Sequence, residues 1–119
     1  MELKAFLLKL KDTPDSIAFS DTMSVIETVY DFTPVAFKNG ELRNDAGQNS
    51  GSCKLFAFAK IQGMSPQQTL ACFGAYYRED VLKHPEGTDH QNIRNFIKHG
   101  WAGIEFSESP LKPKQTDSH

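Results

Sequence analysis

One short run constrains this chain more than anything else in it. Leu55, Phe56, Ala57, Phe58, Ala59 and Ile61 are interrupted only by Lys60. Read as a helix, the run is apolar almost all the way round, and such a helix is stable only when other elements cover it. The preceding stretch, Asn44 to Gly51, is polar and holds no core-forming residue except Ala46. The chain therefore passes from a polar loop straight into a central helix. That helix begins near Ser50 or Ser52 and runs to Gln62, with Gly63 as its left-handed stop.

The flanking segments supply the cover. Leu3, Phe6, Leu7 and Leu10 recur at helical spacing, so residues 2–11 read as an amphipathic helix. Asp12, Thr13 and Pro14 end it, and Thr13-Pro14 opens a short second turn. Ser20 is the expected N-cap of a helix carrying Met23, Ile26, Val29 and Tyr30, closed by Thr33-Pro34. Asn39-Gly40, between Phe37 and Leu42, predicts a type I′ hairpin over residues 35–43. Ser65-Pro66-Gln67-Gln68 is a capping box with Pro at the first helical position. Its helix carries Leu70, Ala71, Cys72 and Phe73, and Gly74 threatens to break it. Tyr77, Val81 and Leu82 continue an apolar stripe to His84-Pro85. Thr88 with Gln91 suggests another capping box, followed by Ile93, Phe96 and Ile97 and stopped at Gly100. Residues 102–107 alternate weakly and suit a strand beside the hairpin. The fold class that follows is mainly α (α+β): five or six helices with a small antiparallel β-hairpin or sheet.

Length and charge set the class. The 119 residues suit one domain, read here as residues 1–109, with residues 110–119 a polar, disordered tail. Thirteen Lys plus Arg against fifteen Asp plus Glu leave a net charge of -2. A nucleic-acid binder is usually clearly basic, so no nucleic-acid partner is expected. No apolar run approaches the roughly 20 residues of a membrane span. No secretory signal is legible in residues 1–10. Two cysteines make no disulfide framework and fit a reducing compartment. The four histidines form no i, i+4 pair and no CxxC occurs, so no metal or other cofactor is expected.

Three constellations could carry chemistry. Cys53 lies in the first turn of the central helix, where partial positive charge favours a thiolate. His90 and Asn92 follow downstream, and the order Cys, His, Asn is that of papain-like sites. A small cysteine-dependent hydrolase or transferase with Cys53, His90 and Asn92 as catalytic residues is one reading. A free Cys is more often a buried filler, and Cys53 suits that role at the start of the central helix. The second constellation is Gly47–Lys54. It lacks the spacing of a Walker A loop, but a Gly-rich approach to a helix start is a generic anion site, with Asn49, Ser52 and Lys54 as binding candidates. The third is the polar pair of segments around Tyr77, Arg78 and Arg94, readable as a ligand pocket or as a buried network that fixes packing.

The strings Ala46–Phe56, Cys72–Arg78, Asp89–Phe96 and Gly100-Trp101 resemble the HopJ family, named from the effector HopPmaJ. Phe32-Thr33-Pro34 and Phe37–Gly40 fit it too, so the likeness covers roughly residues 3–107. The resemblance implies an effector-like protein of a bacterium that acts by binding a host or bacterial protein or a ligand. It also implies residence in the bacterial cytoplasm, with delivery into a host cell by type III secretion. It carries no assigned reaction and no catalytic residues.

Overall fold

The computed structural model describes residues 2–114. Helix α1 spans Leu3–Asp12 and buries Phe6 and Leu10. A 3-10 turn, Pro14–Ser16, follows. Helix α2 covers Phe19–Val29. Its N-cap is Ala18, whose backbone N–H donates to Asp21 Oδ2 at 3.0 Å. Ser20, the expected cap, thus sits inside the first turn; the carboxylate reaching back decides the start, not the hydroxyl. The helix also stops earlier than Thr33-Pro34 suggests. Tyr30–Phe32 leaves it as strand β1.

Strands β2 (Phe37–Asn39) and β3 (Leu42–Asn44) form the hairpin, with Asn39 opposite Leu42. The two turn residues are therefore Gly40 and Glu41. Among the described non-glycine residues positive φ is confined to Asn49 and His90, and Gly40 has φ 63°. A positive φ at the first turn position alone matches a II′ turn with Gly leading, one residue later than the I′ turn expected. The shift has a cause: Asn39 is fully buried and its side chain is used inside the protein.

Helix α3 spans Ser50–Ile61 and is the covered centre that the sequence demands. Leu55, Phe56, Phe58 and Ala59 are all fully buried. The Phe56 ring touches Phe37, Phe73, Phe96 and Trp101, with centroids 5.0–6.5 Å apart. Phe58 meets Phe6 and Tyr30 edge-on. Removing either ring would cost about 3–5 kcal/mol. Ile61 is the exception, half exposed at the helix end.

Helix α4, Pro66–Ala71, has the expected capping box, with Ser65 and Gln68 bonding reciprocally. Gly74 then takes φ 64°. A Cβ there would lie 2.7 Å from the backbone nitrogen of Phe19, so this glycine lets the chain pass against the start of α2. Tyr76–Val81 is a π-helix, with Leu82 N–H donating to the Tyr77 carbonyl. Helix α5, Gln91–His99, starts later than the Thr88 box predicts, because His90 is its N-cap. A 3-10 turn, Gly100–Gly103, leads to β4, Ile104–Phe106, which pairs antiparallel with β2. The sheet order is β3-β2-β4.

Residues 110–113 are not a loose tail. Leu111–Pro113 is strand β5, antiparallel to β1, with Phe32 opposite Leu111. Leu111 fills the core, and the Thr33 N–H donates to the Pro110 carbonyl. Burial of one leucine outweighs the polar residues around it. The rest of the expected tail, residues 115–119, lies outside the described residues.

Candidate functional site

Two residues among those described hold a left-handed backbone without being glycine. Asn49 has φ 50° and ψ 46°, and His90 has φ 50° and ψ 48°. Each is the N-cap of a helix, Asn49 of α3 and His90 of α5, and neither side chain caps its own helix. Both line one cavity of about 620 Å³. Ser52, Phe19, Phe73 and Tyr76 share that lining. Such strain persists only where the surroundings over-determine it, and it gathers at ligand sites.

At Asn49 the over-determination is visible as a network of carboxamides, of which Asn39, Asn44 and Asn92 are buried. Asn92 Nδ2 donates to Asn44 Oδ1 at 3.0 Å, and Asn44 Nδ2 donates back to Asn92 Oδ1 at 3.3 Å. Asn39 Nδ2 donates to the Asn92 carbonyl at 2.7 Å. Asn49 Nδ2 donates to Asn44 Oδ1 at 2.6 Å, which ties the left-handed residue of α3 into the same cluster. The hairpin, the α3 start and the α5 start are thereby locked together.

On the far wall, His90 Nε2 lies 3.0 Å from Asp80 Oδ2, on the π-helix. Its ring sits 5.2 Å from the Tyr76 ring. Asp89 is held by Arg94, whose Nη2 donates to Asp89 Oδ1 at 2.6 Å. That hydrogen bond draws the Asp89 carboxyl below its ordinary range. Arg94 also donates to the His84 and Asp89 carbonyls. It staples the 84–90 segment beneath His90, so its role is positional.

The other sequence candidates lie elsewhere. Cys53 is 1% exposed and is not part of the cavity lining. Burial pushes its thiol above its ordinary pKa, which a hydrogen bond with the Val35 backbone only partly offsets. His90 pairs with Asp80 and not with the thiol, so the Cys53–His90–Asn92 constellation is not assembled as a relay. Asn92 belongs to the carboxamide network. Lys54 turns away, 3.8 Å from Glu27 and over the Phe32 ring at 5.0 Å. Tyr77 and Arg78 line a second cavity of about 600 Å³ with Lys11 and Gln67. Arg78 Nη2 donates to the Ile17 carbonyl at 2.8 Å. Of the residues singled out from sequence, the structure brings together Asn49, Ser52, His90 and Asn92. Phe19 and Phe73 join this cavity without a signal in the sequence, since an aromatic residue in a helical run such as Leu70–Phe73 reads as core, and Tyr76 comes from the polar 76–80 segment. Among the described residues, no three of His, Cys, Asp and Glu gather as metal ligands. No helix described is long and apolar enough to cross a membrane.

The profile of the HopJ type III effector protein family matches residues 3–111. The chain belongs to the HopJ family. A HopJ-like fold is also seen in the crystal structure of a protein of unknown function, VPA0580. That structure is 57% identical to this chain, with a TM-score of 0.94, covering 96% of this chain and 95% of the other. No curated protein matches the chain significantly. The HopJ assignment fixes the family, while the site must be read from its own geometry.

Proposed function

We propose that this HopJ-family protein acts by binding, and that its working site is the cavity between the starts of α3 and α5. One observation carries the reading: among the described residues both non-glycine left-handed ones, Asn49 and His90, line that cavity. Backbone strain of this kind, held at Asn49 by the carboxamide network and at His90 by Asp80, is expected of a preorganised site. The lining combines aromatic faces with a few polar groups, as ligand sites generally do. The Gly47–Cys53 loop of the anion-binding reading contributes Asn49, Gly51 and Ser52 to this cavity, so that reading merges with this one. Cys53 is left as a packing residue, since a buried thiol with a raised pKa is a poor nucleophile. Action as a type III effector on a host partner is the form this binding takes in the family's naming.

The test is amide NMR of the whole protein against a panel of small aromatic, carboxylated and phosphorylated compounds. Resonances of residues 49–52 and 90–93 are expected to move together with one class of compound. Cys53→Ala is expected to leave that response intact. No response at these residues across the panel, or a response confined to the Arg78 cavity, would overturn the assignment.

A further inference from the structure

The aromatic wall of the cavity and the unpartnered Nδ1 of His90 together specify a ligand. Asp80 lies 3.0 Å from His90 Nε2, and Asp89 Oδ2 lies 3.8 Å from the same nitrogen. An ionised carboxylate only accepts hydrogen bonds, so in the neutral imidazole the proton sits on Nε2. Nδ1 then keeps a lone pair, and it neither caps α5 nor meets a donor among the described residues. The rings beside it run in sequence. Tyr76 is 44% exposed and stands 5.2 Å from His90. Phe19 meets Tyr76 at 5.2 Å and stacks nearly parallel to Phe73 at 6.2 Å. An exposed tyrosine between a histidine and two phenylalanines is a platform for a flat ring.

We propose that the cavity takes a planar aromatic compound with a weakly acidic hydroxyl, and that His90 Nδ1 accepts the hydroxyl proton. The inference rests on the cavity being the binding site. In the transfer the ligand O–H bond breaks, its electron pair stays on the ligand oxygen, and an N–H bond forms at Nδ1. The resulting imidazolium is paired with the Asp80 carboxylate. First-turn residues of α3 and α5 line the same cavity, and the positive ends of the two helices favour the anion produced.

The experiment uses 3-nitrophenol, a weaker acid, and its methyl ether, 3-nitroanisole, in near-neutral buffer where the free phenol is mostly un-ionised. The phenol is expected to bind at least tenfold more tightly than the ether, with the visible phenolate absorption growing on binding. His90→Gln is expected to abolish the absorption band, and Asp80→Asn to weaken it. Nitrogen NMR of the unsubstituted protein, which needs no variant to fold, is expected to find Nδ1 unprotonated. A protonated Nδ1, equal binding of both probes, or a band that survives His90→Gln would overturn the proposal. If neither probe binds while another compound still shifts residues 49–52 and 90–93, the proposal fails and the cavity reading stands. Silence from every compound removes both.

Discussion

Asn44 and Asn92 face each other as a reciprocal amide pair, each donating to the other's oxygen, 48 residues apart in the chain. Both are buried. A buried donor or acceptor left alone costs about 1–3 kcal/mol. Asn92→Ala takes both of its side-chain bonds from Asn44, while Asn39 keeps its bond to the residue 92 carbonyl. Urea unfolding is expected to show a loss of about 1–3 kcal/mol, the cost of one buried amide left without its partner. A double-mutant cycle with Asn44→Ala should return a coupling of about 1 kcal/mol or more. Additive losses would mean that the two amides merely coexist.

Position 90 should reverse the usual helix ranking. In a helix interior Ala outperforms Gly. At φ 50° the order inverts, because only Gly reaches the left-handed region without a Cβ clash. His90→Gly is expected to be about 1 kcal/mol more stable than His90→Ala. Equal melting temperatures for the two would show that the backbone relaxes freely there.

Gly74→Ala places a Cβ 2.7 Å from Phe19 nitrogen and 3.2 Å from the Ala18 carbonyl carbon, both backbone atoms. Neither can swing aside as a side chain would. A loss of about 3 kcal/mol is expected in thermal or chemical unfolding. The Phe19 side of the cavity should be disturbed in the same variant, visible as shifted Phe19 and Tyr76 ring resonances. A loss under about 1 kcal/mol would contradict the close passage.

The alkaline limb of stability should carry the mark of Cys72. Burial pushes its thiol from 9.0 up to about 12. Below 9 the thiol is protonated in both folded and unfolded states, and its contribution is fully present. Between about 9 and 12 the unfolded chain has lost the proton and the native protein has kept it, so stability falls as pH rises. The wild-type curve should drop more steeply than that of Cys72→Ala across this window, by up to about 1.4 kcal/mol per pH unit. Parallel curves would show that the thiol ionises equally in both states.

How much of this was legible beforehand depends on distance along the chain. The α3 core, the Ser65 capping box and the β4 strand each follow from neighbouring residues, and each stands where local pattern puts it. The hairpin turn slipped by one residue because Asn39 serves a partner 53 residues away, which no local propensity reports. His90 displaced the Thr88 cap for a similar reason: Asp80 holds its ring from another helix. Asn49, Ser52, His90 and Asn92 were nameable as polar residues at helix starts. Their convergence was not, because it needs the tertiary fold.

The π-helix at 76–81 carries one residue more than an α-helical path of the same course would need. That surplus residue acts like a spacer in a gear train. With it in place, Tyr76 and Asp80 mesh with His90 while Tyr77 and Arg78 engage the cleft beside Lys11 and Gln67. Excising a single residue ahead of Asp80 would move each later residue of this stretch by about 100° around the helix axis. Asp80 would then leave His90, and buried Val81 would leave the core with it, so one residue's spacing serves the pair and the interior alike.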